Sequence, residues 1–312
     1  MSSLGTSPPC AASQRIAAPW REALAARLAD YVELTKPRIA VMVLVTVSVG
    51  FALAGDGRVD LVRLAHALVG IGLVAGGSSA LNQWLERTTD ARMPRTADRP
   101  LPSGRLAPAE VLCFGLAAAA AGIAWLLALV NVATAVLALA TLGLYVLGYT
   151  PLKRATTLCT AVGAVPGALP PVLGWAAATG EAGGGAWLLF AILFLWQFPH
   201  FLAIAWLYRE QYRRAGLRML PGGEGGARVA GFLCVGYALA LVPVSLLPAQ
   251  QAVAGSAYAL AALVLGAGYV AAAARFLFRE SAETARGLLW ASLVYLPVLL
   301  LTMTWDHFQL LK

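Results

Sequence analysis

The sequence predicts an all-α polytopic membrane protein with about nine transmembrane helices, and three observations predict it. Hydrophobic residues make up 60% of the 312-residue chain and charged residues 12%. With a mean hydropathy of +0.73, the chain is far too apolar for a soluble domain. Apolar runs of about 17 to 23 residues, long enough to cross the hydrocarbon as helices, recur near 38–54, 65–85, 108–129, 132–149, 158–178, 186–207, 229–247, 253–274 and 287–306. Basic residues gather in alternate loops. With the N-terminus in the cytoplasm, all of the 23 Lys and Arg except Arg58, Arg63 and Lys312 fall on the inner side, as a correctly parsed membrane chain requires. The odd number of spans then puts the C-terminus outside.

Ahead of the first span, residues 1–14 are rich in Ser, Pro and Ala and read as disordered. Residues 18–34 have helical spacing of apolar positions and read as a helix along the inner membrane surface, after which Thr35-Lys36-Pro37-Arg38 turns the chain inward. This divides the chain into an N-terminal tail with an interfacial helix, 1–37, and a transmembrane domain, 38–312. The start lacks the order of a signal peptide. A bacterial inner membrane is the expected location. The mitochondrial inner membrane is the alternative, because an Arg-bearing start resembles a transit peptide even though acidic residues enter from Glu22 onward. The net charge of +8 belongs to the inner loops and implies no nucleic-acid partner. Cys10, Cys113, Cys159 and Cys234 have neither disulfide nor metal-ligand spacing.

Between the spans, the outer loops around Val130-Asn131, Thr179–Gly185 and Pro248–Ala252 are short and poor in charge. The inner loops after spans two and six are long and polar, and long loops in a compact protein usually carry function. Their placement four spans apart predicts two halves facing one site.

The second span runs into Asn82-Gln-Trp-Leu-Glu86-Arg-Thr-Thr-Asp90, which drives metal-binding side chains out of an apolar helix. Asn82, Glu86 and Asp90 are spaced i, i+4, i+8 and share a helical face within roughly 80° of arc. Asn82 and Asp90 are also roughly 12 Å apart along a regular axis, too far to share one ion directly. The stripe therefore implies several ions, water-mediated contacts, or a helix that breaks before Asp90. Arg95 and Arg99 follow closely.

After span four, the adjacent Lys153 and Arg154 stand at a helix mouth, suited to holding a phosphate. Span six contains Gln197-Phe-Pro199-His200, polar groups inside an apolar run that must face protein or a cavity. It ends in Tyr208-Arg209-Glu210-Gln211-Tyr212-Arg213-Arg214. His66 and His307 have no such company. Carboxylates beside fixed cations suit a magnesium diphosphate, in which oxygen ligands hold the ion and the ion bridges phosphate oxygens. A transporter or anion channel would continue its polar residues across the membrane; here the outer halves are nearly free of charge, which favours an enzyme with one pocket on the cytoplasmic side.

Asn82-x3-Glu86-x3-Asp90 resembles the Asn-x3-Asp-x3-Asp element of the UbiA superfamily of intramembrane aromatic prenyltransferases. Its continuation Arg95-Thr-x-x-Arg99-Pro, with Tyr149-Thr-Pro-Leu-Lys153-Arg154, Gly167-Ala-Leu-Pro-Pro171, Gly174-Trp175, Phe198-Pro-His200-Phe, Thr35-Lys36-Pro37-Arg38 and Ala215–Pro221, is similar to the haem-farnesylating branch. The resemblance covers roughly residues 30–305 and implies a UbiA-type bundle that transfers the farnesyl group of farnesyl diphosphate to a vinyl group of haem B, water adding to give haem O. By carry-over, Asn82, Glu86 and Asp90 would hold Mg2+, with Glu210 at a second metal position. Lys153, Arg154, Arg95 and Arg99 would neutralise the leaving diphosphate. Tyr149 and Arg209 would complete the substrate site, and His200 would orient the haem or bind its iron. Trp84, Tyr145, Tyr149, Trp196 and Trp206 are the candidate aromatic faces for an allylic cation. The lipid bilayer is a further partner, and a haem A synthase or terminal oxidase is an expected recipient of the product. A UbiA-type enzyme acting on a quinone precursor or chlorophyllide is the nearest alternative. Two positions depart from the family pattern: Glu86 stands where the superfamily usually has Asp, and Gln211 where the branch commonly has an acid.

Overall fold

The computed structural model describes residues 20–55, 57–219 and 226–312. The predicted disordered start, Cys10 and the last two residues of the Ala215–Pro221 motif lie outside them. Among the described residues every regular element is a helix: α1 (Trp20–Leu34), α2 (Pro37–Leu53), α3 (Leu61–Asp90), α4 (Pro108–Leu129), α5 (Val132–Gly143), a π-helical turn (Leu144–Tyr149), α6 (Thr150–Ala155), α7 (Cys159–Ala168), α8 (Pro170–Thr179), α9 (Gly184–Leu207), α10 (Arg209–Arg214), α11 (Gly226–Gln250), α12 (Ser256–Phe278) and α13 (Ala282–Leu310). Eight helical segments of the described residues are long and apolar enough to cross a membrane, α5 to α6 and α7 to α8 each counting as one. The α1–α2 pair, bent by 51°, supplies a ninth. This is a multi-pass membrane protein.

The predicted spans are found with their ends shifted. The second is the most extended: α3 begins where Asp60 caps it, its carboxylate accepting from the Val62 and Arg63 N–H groups, and runs unbroken through Asp90. A helix that breaks before Asp90 is therefore not how the stripe is arranged. The fifth span divides at Leu169, where Pro170 opens α8.

Two apolar clusters organise the bundle. One joins α9, α11, α12 and α13 around Tyr258, Tyr269, Phe276 and Tyr295; the other joins α2, α3, α4, α5 and α8 around Val47, Ile71 and Leu126. In the second cluster α2 and α8 approach backbone to backbone. A Cβ added to Gly174 would lie 1.9 Å from the Val47 carbonyl oxygen, and one on Gly50 would lie 2.0 Å from that of Pro171. Small residues permit such contact, which drives helix association where lipid removes the hydrophobic incentive. Gly174→Ala is expected to lower the thermal unfolding midpoint in detergent by an amount equivalent to about 1–3 kcal/mol of overpacking. An unchanged midpoint would show that the helices do not meet this closely.

At the charged end, α1 departs from α2 at the bend rather than continuing it. Its Trp20, Leu24, Leu28 and Val32 form an exposed stripe. The opposite side docks on the loop between α3 and α4: Arg105 pairs with Asp30 and, at 2.9 Å, with Glu33. Arg27 pairs with Glu110, and Gln83 donates to the Leu34 carbonyl at 2.8 Å. The long loop between α3 and α4 is thus tied to α1 on one side and to the cavity on the other.

Candidate active site

A cavity of about 460 Å³ opens at the charged end, within the range of small-molecule sites. Its polar end is built from α3, the α1–α2 elbow, α6 and the loop after α3. Asn82, Glu86 and Asp90 all line it, as their shared face predicts. Lys36, Arg95, Arg99, Tyr145, Tyr149 and Lys153 also line it, and its deeper wall is apolar, including Val43, Ile71, Val74 and Leu173.

Each group of the stripe has a fixed partner. Asn82, 1% exposed, donates through Nδ2 to Thr150 Oγ1 at 3.0 Å and to Glu86 Oε2 at 3.1 Å. These bonds set the orientation of its amide and leave Oδ1 to accept from Lys36 Nζ at 3.1 Å. Glu86 Oε1 lies 2.8 Å from Lys153 Nζ, both side chains largely buried. Asp90 Oδ2 lies 2.7 Å from Arg99 Nη1. Lys153 also stands 4.4 Å from the centre of the Tyr149 ring, a cation–π contact strengthened by loss of water.

The π-helical turn presents Tyr145 and Tyr149, stacked with ring centres 5.7 Å apart, toward this site. Thr150 stitches the turn in place, its hydroxyl donating to the Tyr145 carbonyl at 2.9 Å while accepting from Asn82. Insertion of an extra residue into a helical turn recurs at functional sites.

The two polar loops meet as predicted. Arg95 donates to Tyr212 Oη at 3.0 Å and stacks over the rings of Tyr208 and Tyr212 at 4.7 and 5.4 Å.

Several predicted residues stand elsewhere. Arg154 does not line the cavity: neighbours on a helix point about 100° apart, and Arg154 turns to the side of α3, donating to Thr89 Oγ1 at 2.6 Å. Arg209 folds back on Trp206, donating to its carbonyl at 2.8 Å and stacking over its ring at 3.9 Å. Glu210 also stays outside, held on the exposed side of α10 by Arg213 and Arg214 at 2.8 and 2.9 Å. Hydrogen bonds from Arg213 and then Arg214 hold its carboxyl below the usual range. Among the aromatic candidates, Trp84, Trp196 and Trp206 stand outside; Tyr145 and Tyr149 line the cavity.

His200 faces α13 rather than the cavity. Its Nδ1 is 2.8 Å from Ser292 Oγ, and its ring stacks on Trp196 at 5.0 Å. Ser292 gives its single hydroxyl hydrogen to the Leu289 carbonyl at 2.6 Å, so it accepts from His200 Nδ1–H. The proton is thereby fixed on Nδ1 and the Nε2 lone pair is left available. Gln197 is a structural clip, donating to the Ala164 and Leu193 carbonyls at 3.2 and 3.0 Å.

Lys36, Tyr212 and Phe201 line the cavity without having been singled out as site residues from sequence. Lys36 carried a signal. It precedes Pro37, which disfavours helical backbone at position 36, and it adopts φ 50°, ψ 65°, a left-handed conformation that costs a non-glycine residue about 1–3 kcal/mol. That conformation makes the elbow from which its ammonium reaches Asn82.

Residues 43–296 match the model of the UbiA prenyltransferase family. The chain belongs to the UbiA prenyltransferase family. This UbiA member is 46% identical over 279 residues to protoheme IX farnesyltransferase of Solibacter usitatus, covering 86% of this chain and 96% of that protein. It is 45% identical over 305 residues to protoheme IX farnesyltransferase of Koribacter versatilis, covering 95% and 98%. Its fold is similar to that of digeranylgeranylglyceryl phosphate synthase, with a TM-score of 0.76 at 18% identity over 91% of this chain and 99% of that one. It is also similar to a UbiA homologue from Archaeoglobus fulgidus bound to GPP and Mg2+, with a TM-score of 0.58 at 16% identity over 90% and 99%. The UbiA-type bundle expected from the sequence is therefore the fold of this chain, and it is a prenyltransferase.

Proposed function

We propose that this prenyltransferase moves the farnesyl group of farnesyl diphosphate onto a vinyl group of haem B, water adding to give haem O and diphosphate. The observation that carries the donor half is the pairing of Lys153 with Glu86 and Arg99 with Asp90 at the polar end of a cavity whose deeper wall is apolar. The acceptor is supported by the relatives named protoheme IX farnesyltransferase, which match along nearly their whole length.

The chemistry follows from the residues. Breaking the C1–O bond of an allylic diphosphate leaves negative charge on the departing oxygen, and Lys153, Arg99 and Arg95 supply fixed positive charge there, in a setting with little water where it counts most. The allylic cation left behind is sheltered by the apolar wall and by the faces of Tyr145 and Tyr149. The vinyl group attacks it to form the new C–C bond. Water then adds to the carbon next to the porphyrin and loses a proton.

The donor set fits magnesium: Asn82, Glu86 and Asp90 offer only oxygen ligands from one helix face, the hard donors this ion prefers. When bound there, the ion would add further positive charge beside the leaving group. His200 faces α13 and lies outside the cavity lining; with its Nε2 lone pair available and Ser292 fixing its tautomer, it is the proposed contact to haem iron from outside that lining. The positive end of the bundle is assigned to the cytoplasmic side of a bacterial inner membrane, with the N-terminus inside. A haem A synthase or terminal oxidase would receive the product.

Membranes carrying the protein, given haem B, farnesyl diphosphate and magnesium, are expected to yield a haem whose mass rises by a farnesyl group plus water. Haem that stays unchanged, with a farnesylated quinone precursor formed instead, rejects the acceptor. In the same assay His200→Ala is expected to raise the KM for haem about 10- to 100-fold, as loss of a metal-orienting contact does, while leaving the KM for farnesyl diphosphate in place. Equal change in both would remove His200 from haem binding.

A further inference from the structure

We infer that this chamber measures the prenyl tail of its donor, and that Ile71 at its floor makes the farnesyl length the longest it accepts. The inference rests on the farnesyl diphosphate reading above and deepens it.

The face of α3 that carries Glu86 and Asn82 continues away from the charged end through Ser78, Ala75 and Ile71, at steps of four, three and four residues from Asn82. Side chains at that spacing stand one above another on a helix, and all three line the cavity. Ser78 and Ala75 are small, and the Ser78 hydroxyl is already given to the Val74 carbonyl at 2.7 Å. That stretch of wall therefore offers a tail room and no competing donor. Ile71 is the first bulky side chain on the line. Val43 of α2, Ala138 of α5 and Leu173 of α8 are the deepest residues that their own helices contribute to the lining. One turn beyond these four, Val47, Ala67, Ala135 and Ala177 are at most 2% exposed and belong to the same apolar cluster as Ile71 and Leu173. The chamber ends on packed core.

Its depth can be counted along two separate walls. Ile71 is eleven residues from Asn82 on α3, roughly 16 Å at the α-helical rise. Ala138 is twelve residues from Thr150, the bonding partner of Asn82, roughly 18 Å by the same rise. With the diphosphate among Lys153, Arg95 and Arg99, C1 of the donor enters near the level of Asn82. An extended prenyl chain advances about 1.25 Å per bond at ordinary carbon bond lengths and angles. From C1 to the tail end, geranyl then spans about 9 Å, farnesyl about 14 Å and geranylgeranyl about 19 Å. A farnesyl tail comes to rest against Ile71. A geranylgeranyl tail overshoots it by an isoprene unit and has to fold back or force the core apart; a geranyl tail stops short and leaves apolar wall uncovered.

Competition binding to the full-length protein in detergent with magnesium, in which geranyl or geranylgeranyl diphosphate displaces radiolabelled farnesyl diphosphate, tests this without the acceptor. The wild type is expected to hold farnesyl diphosphate about tenfold or more tightly than either, because a single methylene too many or too few in an apolar pocket already discriminates by about tenfold. Ile71→Ala lowers the floor and should bring geranylgeranyl and farnesyl diphosphates to about equal affinity. Ala75→Leu raises it to roughly 10 Å from the level of Asn82 and should reverse the order of farnesyl and geranyl diphosphates. The added leucine carbons enter open space, so this variant reads the floor independently of the core. Equal wild-type affinity for farnesyl and geranylgeranyl diphosphates, or a folded Ala75→Leu protein that keeps the wild-type order, overturns the inference and leaves the farnesyl reading intact. Failure of farnesyl diphosphate to bind the wild type overturns both.

Discussion

Asp90→Asn is expected to lower farnesyl transfer about 10²- to 10³-fold, the usual cost of removing one fixed electrostatic element from a reacting site, with the protein still folded. Asp90 closes α3 with 1% of its surface exposed, and its Oδ2 holds Arg99 at 2.7 Å. Asparagine keeps the shape of the side chain and one acceptor oxygen but removes the charge. Two things are lost together: an oxygen donor for the ion, and the anchor that aims Arg99 at the cavity. The initial rate of haem O formation at saturating farnesyl diphosphate measures the effect, with thermal unfolding in detergent as the control for folding. A variant that keeps a tenth or more of the wild-type rate would sink the assignment of Asp90 to the reacting site.

The position of Asp90 was legible from sequence because it follows from helix periodicity alone. Once 65–85 is a span and the helix continues, Asn82, Glu86 and Asp90 must share a face, and all three line the cavity. The spans were legible for a related reason, since apolar run length and the alternation of Lys and Arg between loops are properties of the chain and the bilayer, independent of packing. What could not be read is decided by which neighbour a side chain meets. Lys153 and Arg154 are indistinguishable in sequence, yet one reaches Glu86 and the other Thr89. Glu210 has the right charge for a second metal position, but the arginines three and four residues on lie on its own face of α10 and claim it. His200 is polar and intramembrane, as many site residues are, and only the packing of α9 on α13 shows that its partner is Ser292. In sequence Lys36 reads as one of the topological charges; the bend at Pro37 is what brings it to Asn82, 46 residues along the chain.

Lys153→Met should combine a large kinetic defect with a large stability defect, and a second substitution should separate them. Lys153 and Glu86 are 13% and 12% exposed, so removing the lysine leaves a carboxylate in a water-poor chamber with the Asn82 amide as its remaining partner. Breaking a buried pair from one side costs about 3–5 kcal/mol, read as a lowered unfolding midpoint. Turnover should fall about 10²- to 10³-fold through loss of a cation at the leaving group. Adding Glu86→Gln removes the stranded charge, and because a buried ion pair replaced on both sides is often neutral for stability, the double variant should recover most of the unfolding midpoint. It should not recover turnover, since neither the cation nor the carboxylate has been restored. A rate well below that of Glu86→Gln alone, in a double variant of restored stability, is what assigns Lys153 to the diphosphate. If Lys153 served only as counter-ion to Glu86, the double variant would turn over as fast as Glu86→Gln alone.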